Sequence, residues 1–210
     1  CGASIRRYAL PPRMSTDAQR LPAPRPPLVV VTVAAALLLS LLGYLPAIVG
    51  SQLLRFDDPF FFQAPVNTVF QAGLGAVLDP SQPIANAWLP VAHLSLYFDY
   101  VCTGTAPFWP HLHAVLLHAL AGAALVRLLL ALGLRARDAH LAGALFLLHP
   151  ALAESVAWVS GRKDVLSGLF VFLALQVAVA GARTGRRRHL LLMALLTALA
   201  MYSKPTAVVL

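Results

Sequence analysis

Two adjacent carboxylates, Asp57 and Asp58, stand in "LRFDDPFFFQ", between an arginine and three phenylalanines. A carboxylate can act as general base toward a hydroxyl, and a pair of them could hold a divalent cation through oxygen ligands. Further along, "LFLLHPALAESVAWVSGRKDVLSGLF" carries His149, Glu154, Arg162, Lys163 and Asp164. Arginine offers a planar fork suited to phosphate and lysine a point charge. Cations so placed stabilise charge developing on a phosphate leaving group. Lys204 adds a third cation near the end of the chain. Together these residues are equipment for moving a group from a phosphate carrier to a hydroxyl.

The elements that must position them are apolar. Of 210 residues, 59% are hydrophobic and 11% charged, with a mean hydropathy of +0.75. An ordinary soluble domain is nearer half apolar and a quarter charged. Several runs approach the roughly 20 residues that cross a bilayer core, and strand alternation is absent, which argues against a barrel. The fold class expected is an all-α integral membrane bundle. Spans are expected at about 28–50, 111–133, 139–157, 165–181 and 189–210, with a long outer loop over 51–110. Residues 1–27, rich in Arg and Pro, read as a disordered tail. The first apolar run is longer than a signal-peptide core, so it is expected to stay as an anchor. The loop contains short amphipathic pieces, "NTVFQAGLGAVL" and "WLPVAHLSLYFDYV", expected to lie along the membrane surface, with the phenylalanines anchoring it in the interface. Because the chain begins at Cys1 and stops inside an apolar run, it reads as the front part of a longer protein, with Met14 a candidate start.

The net charge of +8 does not point to nucleic acid, because the basic residues flank apolar runs. Twelve of the sixteen fall in the tail and in two alternate junctions, at Arg127–Arg137 and Arg183–Arg188. The positive-inside rule then puts the tail in the cytoplasm, and the acidic pair and the RKD stretch outside. At 1.5 Å per residue, His149 lies roughly 15 Å and Glu154 roughly 22 Å into the third span, where ionisable groups face a bundle or a wet cavity. Pro150 must distort the helix there. Arg162 and Lys163, in a short outer loop, either pair with Asp164 and Glu154 or make an anion site, and Lys204 reaches the same level. His93, His111, His113 and His118 lie near the entry of the second span, and His111 and His118 share a helical face, but closely placed further ligands for zinc are not evident. Asp99 reads as an interfacial loop carboxylate. Two cysteines, Cys1 and Cys102, make no disulfide framework.

Taken together, "FDDPFF", "ESVAWVSGRKDVLSGLF" and "SKPTAVVL" resemble the membrane portion of bacterial and animal multi-spanning proteins that carry tetratricopeptide repeats. The animal members are transmembrane-and-tetratricopeptide O-mannosyltransferases, within the broader GT-C fold. The resemblance implies a GT-C-like bundle that transfers a sugar from a polyprenyl-phosphate donor to a protein or glycan acceptor outside the cytoplasm. It implies Asp57 as base or acceptor-binding group with Asp58 in support. Glu154, Arg162, Lys163 and Lys204 would belong to the donor or acceptor pocket, with Arg162, Lys163 and Lys204 on the donor phosphate. His149 is also a pocket candidate, and His111 and His118 match a family pattern around the second span. Departures from that pattern are Ala114, Leu152 and Gly161, the last in place of a glutamate. A bacterial inner membrane is the expected setting. The competing readings are a repeat-bearing scaffold without catalysis, and a transporter in which Glu154 and His149 relay protons. Transporters place their acids at the midplane rather than outside it.

Overall fold

The computed structural model describes residues 26–53 and 57–209. The tail expected over 1–27 therefore lies, up to residue 25, outside the described residues, as does Arg55. Apart from one bridge between Ile84 and Ala87, the secondary structure described is helical. The helices are α1 Pro26–Gly43, α2 Leu45–Val49, α3 Asp58–Phe62, α4 Thr68–Ala72, α5 Leu74–Leu78, α6 Pro90–Thr103, α7 Phe108–Ala131, α8 Ala136–Leu148, α9 Ala153–Ala157, α10 Arg162–Thr184 and α11 Arg187–Ser203. Short 3₁₀ turns at Pro150–Leu152, Val159–Gly161 and Pro205–Val209 complete the order.

Two of these helical segments, Phe108–Ala131 and Val159–Thr184, are long and apolar enough to cross a membrane. At 24 residues, α7 is about 36 Å long. A third span exists if α8 and the Pro150–Ala157 segment, bent by 50°, are taken as one. The five expected spans are thus reduced to two or three that pass on length and composition. The run over 28–50 is interrupted at Tyr44, between α1 and α2. The apolar stretch of α1, Leu28–Gly43, is short for a crossing, and α11 has 17 residues. The 139–157 run breaks where Pro150 dictates: the preceding residue, His149, is extended at φ −69°, ψ 124°, because a proline ring disfavours helical geometry before it.

Two devices hold the long helices together. Between α7 and α8, glycines receive the other helix's side chains reciprocally. A Cβ on Gly122 would lie 2.4 Å from Leu147 Cδ2, and one on Gly143 would lie 2.3 Å from Val126 Cγ2. Glycine is what lets apolar helices approach so closely. Between α7 and α10 the contact is a polar ladder. Arg162 donates to Pro110 O, Gln176 to Ala124 O and Arg183 to Ala131 O, each pair 52 residues apart. A constant offset means that the helices run parallel and in register. The steps along α10 are multiples of seven, the repeat that keeps one stripe facing a neighbouring helix. Leu169, on the intervening step, joins Leu117 in an apolar cluster. Downstream, Gly185 caps α10 in the left-handed conformation and returns its N–H to Gly181 O.

Residues 57–103 form a compact layer rather than a strip of separate surface helices. Its core is Phe61, Phe62, Phe70, Val77, Ile84 and Leu96, closed by Val159 from the turn before α10. Phe61, Phe62, Tyr97 and Tyr100 surround the Phe70 ring or touch it edge-on. Two of the three phenylalanines after the acidic pair are therefore packed inside this layer, not in an interface, and only Phe60 is exposed.

Candidate active site

Folding α3 onto the start of α10 brings the two informative stretches together. The turn Val159–Gly161 approaches α9 so closely that a Cβ on Gly161 would sit 2.7 Å from Ser155 O. A glutamate, expected there from the family pattern, has no room in this arrangement. This close turn aims Ser160 at α3. Asp58 is fully buried, and its Oδ1 accepts from Ser160 N at 3.0 Å and from Ser160 Oγ at 2.6 Å. Its neighbour Asp57 is partly exposed and faces Lys163 Nζ at 3.9 Å. The two adjacent carboxylates thus differ in environment: one is held by the fold, the other is open.

Arg162, Lys163 and Asp164 are consecutive at the start of a helix, so successive side chains point about 100° apart. Each meets a different element and an opposite charge. Arg162 pairs with Asp99 of α6, Lys163 with Asp57, and Asp164 with Lys204 beyond α11. Asp99, expected at an exposed interface, is instead fully buried. It binds Arg162 through one oxygen and His113 Nδ1 through the other, at 2.7 Å. Arg162 is also fully buried. Its NH1 donates to Ser95 O at 3.2 Å as well as to Asp99, and its NH2 to Pro110 O at 2.6 Å. Charges this deep are tolerated because each is paired and hydrogen-bonded. The three cations expected on one anion are accordingly distributed. Lys163 stands beside the open carboxylate, also lying over the Trp158 ring with Nζ 5.6 Å from its centre.

Around Lys163 and Asp57 lies a small cleft of about 40 Å³, lined also by Phe61, Ile84, His93 and Ser160. His93 is 3% exposed, and burial together with the nearby Lys163 charge pushes its imidazole down to about 4. It is therefore neutral near pH 7. In the sequence His93 stood only as a weak zinc candidate beside His111, His113 and His118; a helix starting at Pro90 is the signal that places it on the same side as Leu96.

The other candidates lie elsewhere. Glu154, expected to face the bundle or a wet cavity, is exposed, as is His149. His149 Nδ1 accepts from Ala151 N at 3.2 Å and caps the turn after α8. His111 is buried with Nδ1 on Pro107 O of its own helix, and His118 meets Leu147 O across the α7–α8 contact. Both histidines share a stripe of α7 but bond to different groups. Among the described residues no cluster of three His, Cys, Asp or Glu could hold a metal ion.

No family model matches the chain, and no solved structure matches it. Two relatives are similar over part of their length. Over 125 residues, 60% of this chain and 15% of the relative, it is 30% identical to the Protein O-mannosyl-transferase tmtc2 of Xenopus laevis. Over 90 residues, 42% of this chain and 10% of the relative, it is 40% identical to the Protein O-mannosyl-transferase Tmtc1 of Drosophila melanogaster. The chain thus spans a small part of each relative, and what joins them is a partial likeness to proteins named as O-mannosyl-transferases.

Proposed function

We propose that this chain belongs to a membrane glycosyltransferase. It transfers a sugar, mannose by analogy with its relatives, from a polyprenyl-phosphate donor to a hydroxyl of a protein or glycan on the extracytoplasmic face. The observation that carries this reading is the cleft in which an open carboxylate, Asp57, and an accessible cation, Lys163, face each other across 3.9 Å. In this mechanism Asp57 takes the proton from the acceptor hydroxyl as its oxygen bonds to the anomeric carbon. The bond from that carbon to the phosphate oxygen breaks with inversion, and the departing phosphate moves toward Lys163. Asp58 acts through Ser160 to hold α3 against the start of α10, and Arg162 and Lys204 act through Asp99 and Asp164 to fix the orientation of Lys163. Any divalent cation would be met by Asp57, the open member of the pair. Topology is part of the proposal: the N-terminus lies in the cytoplasm, and α1, α7, α8 with α9, α10 and α11 serve as five membrane-crossing segments in a GT-C-like bundle.

Membranes containing wild type or Asp57→Asn, supplied with labelled polyprenyl-phosphate mannose, test it. Label should enter protein or glycan in the wild type, and the variant should lose roughly two to four orders of magnitude in rate. Equal turnover in both would remove Asp57 from the chemistry. Absence of turnover from either, across several sugar donors, would favour a scaffold.

A further inference from the structure

The cleft contains one polar side chain that this mechanism leaves unused. His93 is 97% withdrawn from solvent, yet it lines the cleft beside Asp57 and Lys163. Its backbone N–H is spent on Leu89 O at 2.8 Å. One ring face lies against Phe61, with centroids 5.6 Å apart. Neither ring nitrogen has a hydrogen-bond partner among the described residues, and the residue lines the cleft. A cleft-lining imidazole with no partner in the fold is available to a ligand that enters.

We infer that His93 is a substrate-binding residue whose ring nitrogen hydrogen-bonds a hydroxyl group entering the cleft next to Asp57. The class of ligand follows from the donor and acceptor count. A neutral imidazole has one donor and one acceptor, and a hydroxyl has both as well. A neutral ring offers an anion one N–H but no charge, and burial and Lys163 both oppose the charged form. Anions are matched instead by Lys163. Phe61, Ile84 and Leu89 also line the cleft, apolar surface suited to the C–H groups that flank a hydroxyl. The hydroxyl can come from the donor sugar or from the acceptor. This assignment rests on the transferase reading for its substrates but not for its first readout.

That readout is chemical. Membranes containing the protein are treated with diethyl pyrocarbonate at neutral pH, and peptides are read by mass spectrometry. His93 should be carbethoxylated, and either methyl α-mannoside or a serine- and threonine-containing peptide should suppress the reaction. Protection by the sugar assigns the hydroxyl to the donor, and protection by the peptide assigns it to the acceptor. An unreactive His93, or one that neither probe protects, overturns the inference. The second readout is kinetic, comparing wild type, His93→Phe and His93→Gln after checking that each is expressed and melts as the wild type does. The phenylalanine variant should lose about three- to tenfold in kcat/KM, the effect of one neutral hydrogen bond. Glutamine, which keeps a donor and an acceptor, should recover most of it. Equal kcat/KM in all three also overturns the inference. If wild-type membranes turn over no donor, the transferase reading falls, and the labelling alone decides His93.

Discussion

The Arg162 guanidinium and the Asp99 carboxylate are both fully buried and bonded to each other, tying the start of α10 to α6. His113 and Pro110 complete the arrangement from α7, so three helices meet at one charged pair. Removing one member leaves the other buried and uncompensated. Arg162→Leu or Asp99→Leu should each lose about 3–5 kcal/mol of stability. The double variant should recover a large part of that loss, since no lone charge remains. Unfolding of the detergent-solubilised protein, read as a double-mutant cycle, checks this. Additive losses would mean that the pair is not coupled as the geometry requires.

The acidic pair should divide into a chemical and a structural member. Asp58→Ala removes the acceptor for both Ser160 N and Ser160 Oγ from a buried site. It should cost about 1–3 kcal/mol in stability, with activity falling in proportion to folded protein. Asp57→Asn, partly exposed, should leave melting unchanged while turnover collapses. Measuring melting and turnover on both variants separates the roles, and the reverse pattern would exchange them.

Reciprocal packing between α7 and α8 predicts a rescue. Gly143→Ala puts a methyl group 2.3 Å from Val126 Cγ2, and the neighbouring helix must move or strain. A loss of about 1–3 kcal/mol is expected from overpacking. Adding Val126→Ala opens the space and should restore a good part of that loss. A double variant less stable than Gly143→Ala alone would show that this contact does not set the helix spacing.

Acid should weaken the layer that contains His93. Its imidazole is ordinary near 6.5 in the unfolded chain and about 4 when folded. Between those values the unfolded chain binds the extra proton and the folded chain does not, so stability falls as pH drops through that window. The contribution is fully present above about 6.5 and lost by about 4, for a total near 3 kcal/mol. His93→Gln should lack that part of the pH slope when unfolding is followed from neutral to acid pH. Identical slopes in variant and wild type would mean that the ring is not held neutral by the fold.

The all-helical character, two or three of the five apolar spans and the break at Pro150 were legible in the sequence, because composition, run length and the proline ring act locally. The acidic pair and the RKD stretch stood out as charges in an apolar chain, and the fold brings the two stretches into contact. Which charge meets which was not legible. Arg162, Lys163 and Asp164 are neighbours in sequence but point in three directions on a helix, so their partners come from α6, α3 and the segment after α11. For the same reason Asp99 looked like a surface carboxylate, and Phe61 and Phe62 looked like interface anchors, until packing closed around them. Glu154 and His149 were placed inside the bundle by counting along one straight helix, and the 50° bend turned the chain away from that line. His93 shows the limit most directly. Its position near three other histidines in the sequence pointed toward zinc, and only the fold of residues 57–103 against α10 sets it beside Asp57 and Lys163. Local chemistry determined the kinds of group this protein carries, and long-range packing decided which of them face a cleft and which hold it in place.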